Sequence, residues 1–379
     1  MNKSLVPKIR FKEFINENNF QKIIFKKNDI IKIKTGKSDT KNALEIGKYT
    51  FFDRSEKIKR SNKYIFHGEY IIIPGEGSFL PTYFNGKFDL HQRAYALTSV
   101  NKSKIINKYL FYFIIKNNKN FNTFSVGTTV SSLRLSSFEW IFKKEWPKIS
   151  EQIKVAHFFT IIDRKIELIK EQLSLLEKQK QYYLKNMFTN EKSYPKIRFK
   201  DFNDEWKKYK INEIYKLKRG CVISKEILLK NKEANFFPVY SSQTSNNGIM
   251  GWTNSYLFEK NKIIWTTDGA NAGTIRFVNE NFYASNVCGV LIGKKDHYNN
   301  YSFAISISLE AKKHINKNGN PKLMNNIMGN INFYNSKLKN EQNLIGHFFS
   351  IIDRKIELVK EQLSFLEKQK QYYLNNIFI

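Results

Sequence analysis

Cysteine is nearly missing: Cys221 and Cys288 are the only two in 379 residues. There is no CxxC pair and no histidine at ligand spacing beside either one, which argues against a disulfide framework and a structural zinc site. Long apolar runs are missing too. The longest is Tyr109–Ile115, seven residues, against the ~20 that span a bilayer. The opening MNKSLVPKIRFKEF carries no apolar signal core. The expectation is a cytoplasmic protein in a reducing compartment. Acidic residues are scarce: 34 Asp and Glu stand against 64 Lys and Arg, for a net charge of +30.

Catalytic motifs are also absent. Gly36-Lys37-Ser38 resembles the end of a phosphate loop, but Ile31 stands where the loop's first glycine is needed. Gly75-Glu-Gly-Ser78 and Asp268-Gly-Ala-Asn-Ala-Gly273 read as turns, not as dinucleotide loops. No Asn/Asp-Pro-Pro-aromatic signature of an amino-methyltransferase occurs, and no carboxylate–Glu-x-Lys nuclease cluster. His157 and His347 stand without acid or nucleophile partners, so helix-start packing or capping is expected of them. The five tryptophans, Trp140, Trp146, Trp206, Trp252 and Trp265, read as core or interface residues.

At ~150 residues per domain the chain holds two or three domains, and 41% hydrophobic residues suffice for buried cores. A polyanionic partner accounts for the charge, although AT-rich codons also favour Lys, Asn and Ile. The distribution favours the partner. Residues 1–150 carry 28 basic and 12 acidic side chains and residues 191–340 carry 24 and 12, whereas 151–190 are only +2 and 341–379 are neutral. Two basic bodies separated by neutral segments point to two nucleic-acid-facing modules.

The neutral segments are copies of one another. EQIKVAHFFTIIDRKIELIKEQLSLLEKQKQYYLKNMF (151–188) and EQNLIGHFFSIIDRKIELVKEQLSFLEKQKQYYLNNIF (341–378) match at 29 of 38 positions. PKIRFK recurs as well, at Pro7 and Pro195, and a fainter match pairs Phe88–Leu97 with Phe282–Leu291. The chain is therefore two copies of one unit, each a basic block followed by a neutral segment. No Pro or Gly interrupts Phe158–Phe188, and Leu, Glu, Lys and Gln dominate, so the segment reads as a long helix. Ile162, Ile166, Ile169, Leu173, Leu176, Lys180, Tyr183 and Met187 follow alternating spacings of four and three, a heptad seam. Its copy is Ile352, Ile356, Val359, Leu363, Leu366, Lys370, Tyr373 and Ile377. Two matching seams in one chain predict that the helices pair. A second stripe, Phe158, Ile161, Leu168, Leu175 and Tyr182, exceeds what one partner helix covers, so it is expected to dock another surface.

The basic blocks read as mixed α/β. Strands are expected at Tyr70–Ile73, Lys262–Thr267 and Gly289–Ile292, and helices at Lys104–Ile115 and Tyr298–Ala311. Thr123–Leu135 and Pro238–Gly251 read as polar, turn-rich loops.

Two variable basic blocks, each followed by a near-identical EQ…FF.IIDRKIE…L..L.KQK..YL helix, and Pro-Lys-Ile-Arg-Phe at both block openings resemble the specificity subunit of a type I restriction–modification enzyme. The resemblance implies two target-recognition domains (1–150 and 191–340), each reading half of a split double-stranded DNA site. It implies two helices (151–190 and 341–379) forming an antiparallel coiled coil between them. It also implies partners: two methyltransferase subunits and motor-endonuclease subunits, with no membrane. The subunit itself is non-catalytic and without cofactor; S-adenosylmethionine, ATP and magnesium belong to the partners. A coiled coil of 24 residues from Ile161 to Leu184 spans ~36 Å, about one turn of B-DNA. Candidate phosphate contacts are Lys57, Lys59, Arg60 and Lys322. Candidate base readers are His91, Gln92, Arg93, Thr128, Thr129 and Arg134 in the first block, and Ser241, Gln243, Asn246, Asn271, Arg276 and Asn286 in the second. A stand-alone nucleic-acid binder and an enzyme with a dispersed site stay open as rivals. Specific binding by the isolated chain would favour the first, and magnesium-dependent cleavage the second.

Overall fold

The computed structural model describes residues 7–16, 20–22, 30–55, 57–127, 129–142, 144–189, 194–316 and 319–378. It divides into two compact units: residues 1–170 with 361–379, and residues 171–360.

In the first unit a six-stranded sheet runs in the order Ile31–Thr35, Ala94–Ser99, Phe66–Pro74, Thr82–Leu90, Tyr49–Phe52, Lys59–Ser61. All neighbours are antiparallel except Tyr49–Phe52, which lies parallel to Thr82–Leu90. The run Ile71-Ile72-Ile73 is wholly buried because both sheet faces are covered. Strand alternation sends Ile71 and Ile73 to a core shared with the helix Asn107–Lys116. Ile72 packs with Phe52, Phe66, Phe88 and Leu90 on the other face.

The second unit repeats the central part of this pattern. Its four-stranded sheet runs Tyr215–Arg219, Cys288–Gly293, Lys262–Thr266, Ile275–Val278, and the helix Tyr301–Ala311 packs on it through Phe303, Ala304 and Ile307. A separate three-stranded sheet joins Ile249–Thr253, Phe237–Tyr240 and Tyr283–Ala284. The expected loop Pro238–Gly251 is therefore shorter than the sequence indicates: Pro238–Tyr240 and Ile249–Gly251 are strand residues, because Val239 and Tyr240 are buried. Trp140, Trp146, Trp206 and Trp265 are buried, while Trp252 is half-buried with Lys232 over its ring.

Two 39-residue helices, Ile149–Met187 and Lys339–Ile377, each contribute one part to each unit. In the first unit Ile162 and Ile166 share a core with Leu363, Leu366 and Tyr373. Lys170 pairs with Glu367 at 2.9 Å and Lys370 with Asp163 at 2.6 Å, so the two segments run antiparallel. In the second unit Ile352, Ile356 and Val359 are buried, Leu173, Leu176 and Tyr183 are half-buried, and Lys360–Glu177 and Lys180–Asp353 are the repeat-equivalent ion pairs. Ile169 is buried as the seam requires. Asp163 also accepts a hydrogen bond from Tyr112 at 2.8 Å, and Asp353 accepts one from Tyr301. The repeated Ile-Ile-Asp motif thus ties each unit's core helix to its helix pair. His157 and His347 neither pack nor cap. The helices begin eight residues before them, and both imidazoles fall on the exposed face.

The repeated PKIRF segment closes each helix pair. Ile9 N donates to Asn376 O at 3.0 Å and Ile197 N to Asn186 O at 2.8 Å, at the ends of the second and first helix respectively. The following arginine reaches the first turn of the other helix. Arg10 makes a two-pronged bond to Glu151, with both contacts at 2.7 Å, and Arg198 does the same to Glu341 at 2.6 and 2.9 Å. Both carboxylates are nearly fully buried.

Candidate nucleic-acid interface

The polar loops at one sheet end are held by one backbone frame that occurs twice. In the first unit Gly36 N donates to Ala94 O, His91 N to Phe52 O, Gly75 N to Arg93 O and Leu133 N to Gly75 O, at 2.8–3.2 Å. In the second, Gly220 N donates to Cys288 O, Ser285 N to Tyr240 O, Thr267 N to Val287 O and Leu323 N to Thr267 O, at 2.8–2.9 Å. A Cβ at Gly36 would lie 2.1 Å from Leu90 O, and one at Gly220 would lie 2.2 Å from Ala284 O, so only glycine lets these strands approach. Close approach is therefore the role of Gly36 in the Gly-Lys-Ser triplet. Side-chain bonds reinforce the frame differently in each unit. Tyr95 OH donates to Leu133 O at 2.8 Å, whereas Trp265 Nε1 donates to Leu323 O at 2.9 Å. Buried Asp89 accepts from Ser38 and Ser61 at 2.7 and 3.0 Å.

The frame carries different side chains at equivalent points. His91-Gln92-Arg93 in the first unit answers to Ser285-Asn286-Val287 in the second. Glu76 answers to Asp268, Val126 to Asn316 and Ser132 to Lys322, through matching bridges. Gln92 and Arg93 are exposed and His91 is half-buried, its Nδ1 accepting from Arg93 N at 3.2 Å. Thr129 and Arg134 are exposed on the neighbouring loop; Thr128 lies outside the described residues.

In the second unit Asn286 and Lys322 are exposed on the frame. Ser241, Gln243, Asn271 and Arg276 come together, but their side chains act mainly on the loop 241–249, which Asn271 and Arg276 brace from a neighbouring turn and strand. Gln243 Nε2 donates to Ile249 O at 2.6 Å, Asn271 Nδ2 to Ser242 O at 2.8 Å and Arg276 Nη2 to Gln243 O at 2.9 Å, and Ser241 Oγ accepts from Gln243 N at 3.4 Å. Burial lowers the Arg276 pKa below its ordinary value. Asn246 is exposed at the loop tip, at φ 48°.

The proposed phosphate contacts of the first unit divide. Lys57 is exposed. Lys59 pairs with Asp53 at 2.6 Å, and Arg60 Nε donates to Gly47 O at 3.2 Å. Burial works against ionisation of Asp53, but hydrogen bonds from Lys59 and Ser55 outweigh it and hold the carboxyl below its usual range.

The sequence reading missed the acid–arginine contacts. Glu76 Oε1 accepts from Arg93 Nη1 at 2.7 Å and Oε2 from Arg54 Nη1 at 3.2 Å. The hydrogen bond from Arg93 holds the Glu76 carboxyl below the usual range. At the equivalent place Asp268 Oδ2 accepts from Arg219 Nη2 at 3.1 Å and from Thr267 Oγ1 at 2.5 Å. The available signal was an acid in each of two turns at equivalent repeat positions. Among the described residues no group of His, Cys, Asp and Glu could hold a metal ion, and no helix is long and apolar enough to cross a membrane.

Two copies of a sheet-and-helix unit, each fused to an antiparallel helix pair and presenting different side chains on one loop frame, define a tandem-repeat scaffold for variable surface loops. The family model for the type I restriction modification DNA specificity domain matches residues 19–178 and 203–368, and the chain belongs to that family. A putative type I specificity subunit of Mycoplasma pneumoniae is 34% identical over 165 residues, 43% of this chain and 44% of that protein. The N-terminus of a second putative type I specificity subunit of the same organism is 43% identical over 110 residues, 29% of this chain and 58% of that protein. The match thus spans less than two thirds of either relative. The crystal structure of a type I restriction–modification S subunit from M. genitalium shares the fold over 99% of both chains, with a TM-score of 0.76 at 18% identity.

Proposed function

We propose that this chain is the DNA sequence-specificity subunit of a type I restriction–modification complex. Each basic domain, 1–150 and 191–340, reads one half of a bipartite, asymmetric double-stranded site. The chain contributes recognition and no catalytic group. S-adenosylmethionine, ATP and magnesium are handled by methyltransferase and motor-endonuclease partners. One observation carries the reading: a single backbone frame occurs twice with different side chains, next to two nearly identical helices. Identical scaffolds bearing different polar groups on their loops suit two different sequences, because base edges are told apart by donor and acceptor pattern.

The helices supply the docking surface in this reading. Ile161 and Leu168 with Phe365 and Tyr372 in the first unit, and Ile351 and Leu358 with Leu175 and Tyr182 in the second, are 43–66% exposed. They occupy equivalent repeat positions, so each unit offers the same apolar stripe to one copy of a partner, and two methyltransferase subunits fit. The test is methylome sequencing of a host expressing this chain with its partner methyltransferase. A two-part asymmetric motif is expected. Exchanging residues 1–150 for the block of a related subunit should change one half of the motif and leave the other half and the spacing intact. Both halves changing together would refute the two-reader reading.

A further inference from the structure

The Arg54–Glu76–Arg93 cluster lies outside the candidate readers as a unit, and three features set it apart. Glu76 is sunk into the surface, its side chain 12% exposed, while both arginine side chains are 67% exposed. Exposed ion pairs contribute little to stability, about 0–1 kcal/mol, so the arrangement is a weak device for folding. Its backbone is anchored on every side: Gly75 N bonds Arg93 O at 2.9 Å, Glu76 bridges Ser132, and Gly77 takes φ +87°, which aims the turn.

Each guanidinium gives only Nη1 to Glu76. Its Nε–Nη2 edge meets no acceptor among the described residues. A planar guanidinium bonds two adjacent acceptors along one edge, and in the major groove the acceptor pair that suits it is O6 and N7 of guanine. The second unit lacks the device. Val287 stands at the position of Arg93, and Arg219 spends Nη2 on both Asp268 and Asn286 O.

We infer that Arg93 and Arg54, oriented by Glu76, form a guanine-reading fork in the first unit, with Glu76 as a positioning residue that never touches DNA. This rests on the specificity reading above and goes beyond it by naming the base and the residue that sets its readers. Glu76→Gln separates the fork from phosphate binding. Removing a negative charge beside two arginines raises affinity for random DNA if they hold phosphates, with no change of motif. In the fork it loosens both readers and lowers discrimination.

The experiment takes the complex with its methyltransferase and selects from duplex DNA randomised across the half-site that the residue 1–150 exchange alters. Wild type is expected to fix guanine at one or more positions. Arg93→Gln and Glu76→Gln should each reduce preference for guanine at one of those positions by about tenfold, while Glu76→Gln leaves affinity for random DNA no lower than wild type. Arg54→Ala should reduce preference at the same or the adjacent position. Uniform weakening by Arg93→Gln with the motif intact would assign the cluster to phosphates and overturn the fork, as would a half-site without guanine. If wild type selects no motif at all, the specificity reading itself fails; an intact motif that ignores the three variants sinks the fork alone.

Discussion

Arg198→Met is the most informative single change for the scaffold. Arg198 bonds Glu341 through two contacts of 2.6 and 2.9 Å, and the carboxylate side chain is 0% exposed. The hydrogen bonds that Arg198 donates to Glu341 raise its pKa above its ordinary value, and a guanidinium is charged at every working pH in any case. Methionine retains much of the arginine stem but leaves the carboxylate buried without a cation. Breaking a buried pair from one side costs about 3–5 kcal/mol, whereas replacing both members by apolar residues is often close to neutral. For a unit of residues 171–360, each kcal/mol moves the melting point by about 2–4 °C. The unit's transition should therefore fall by about 6–20 °C in Arg198→Met and recover most of that loss in Arg198→Met/Glu341→Leu. Calorimetry reads the transition, and native-state hydrogen exchange at the Ile197 amide, bonded to Asn186 O, reports the local opening. A single variant within 1 kcal/mol of wild type, or a double variant no better than the single, would refute the assignment of this motif as the closure of the helix pair.

The exposed stripe gives a complementary expectation. Leu168→Glu with Leu358→Glu, both 46% exposed, should abolish methyltransferase capture in a pull-down while leaving the melting temperature within about 1 °C; unchanged capture would remove the docking role. Ile356→Asp places a charge at a seam position 8% exposed and should cost several kcal/mol, seen as loss of exchange protection along the helix. Asp53 has a depressed folded pKa, so its contribution is present above the unfolded value of ~3.9 and is lost as pH falls through the folded one. Lys59→Met should therefore destabilise at pH 7, and its difference from wild type should shrink in denaturant melts as pH falls below the unfolded value; a pH-independent difference would mean that packing, not charge, is lost. Binding of the assembled complex to DNA should weaken linearly in log–log plots against salt as counterions are released, and a flat profile would remove phosphate contacts from the account.

Much of the architecture was legible in the residues. A duplicated stretch of 38 residues, a heptad seam and the lack of Pro or Gly determine two long helices and their pairing, because apolar residues at that spacing have one stripe to bury. The same regularity left the exposed stripe visible as a surplus. Charge distribution separated the basic blocks from the neutral helices, and glycines marked the turns at 75–78 and 268–273.

Only the tertiary structure decided what those marks do. Gly36 and Gly220 are required because strands far apart in sequence approach them within a Cβ's reach, which no local pattern encodes. Arg10 and Arg198 sit in a plainly repeated motif, yet their partners Glu151 and Glu341 lie more than 140 residues away. The candidate readers divided for the same reason. Residue type marks Arg93 and Arg276 alike as capable of reading a base. Packing leaves Arg93 exposed beside Glu76 and turns Arg276, on the strand Ile275–Val278, onto Gln243 O of the neighbouring loop. A guanidinium's donors are fixed by its chemistry, but where they point is fixed by the backbone that surrounds it.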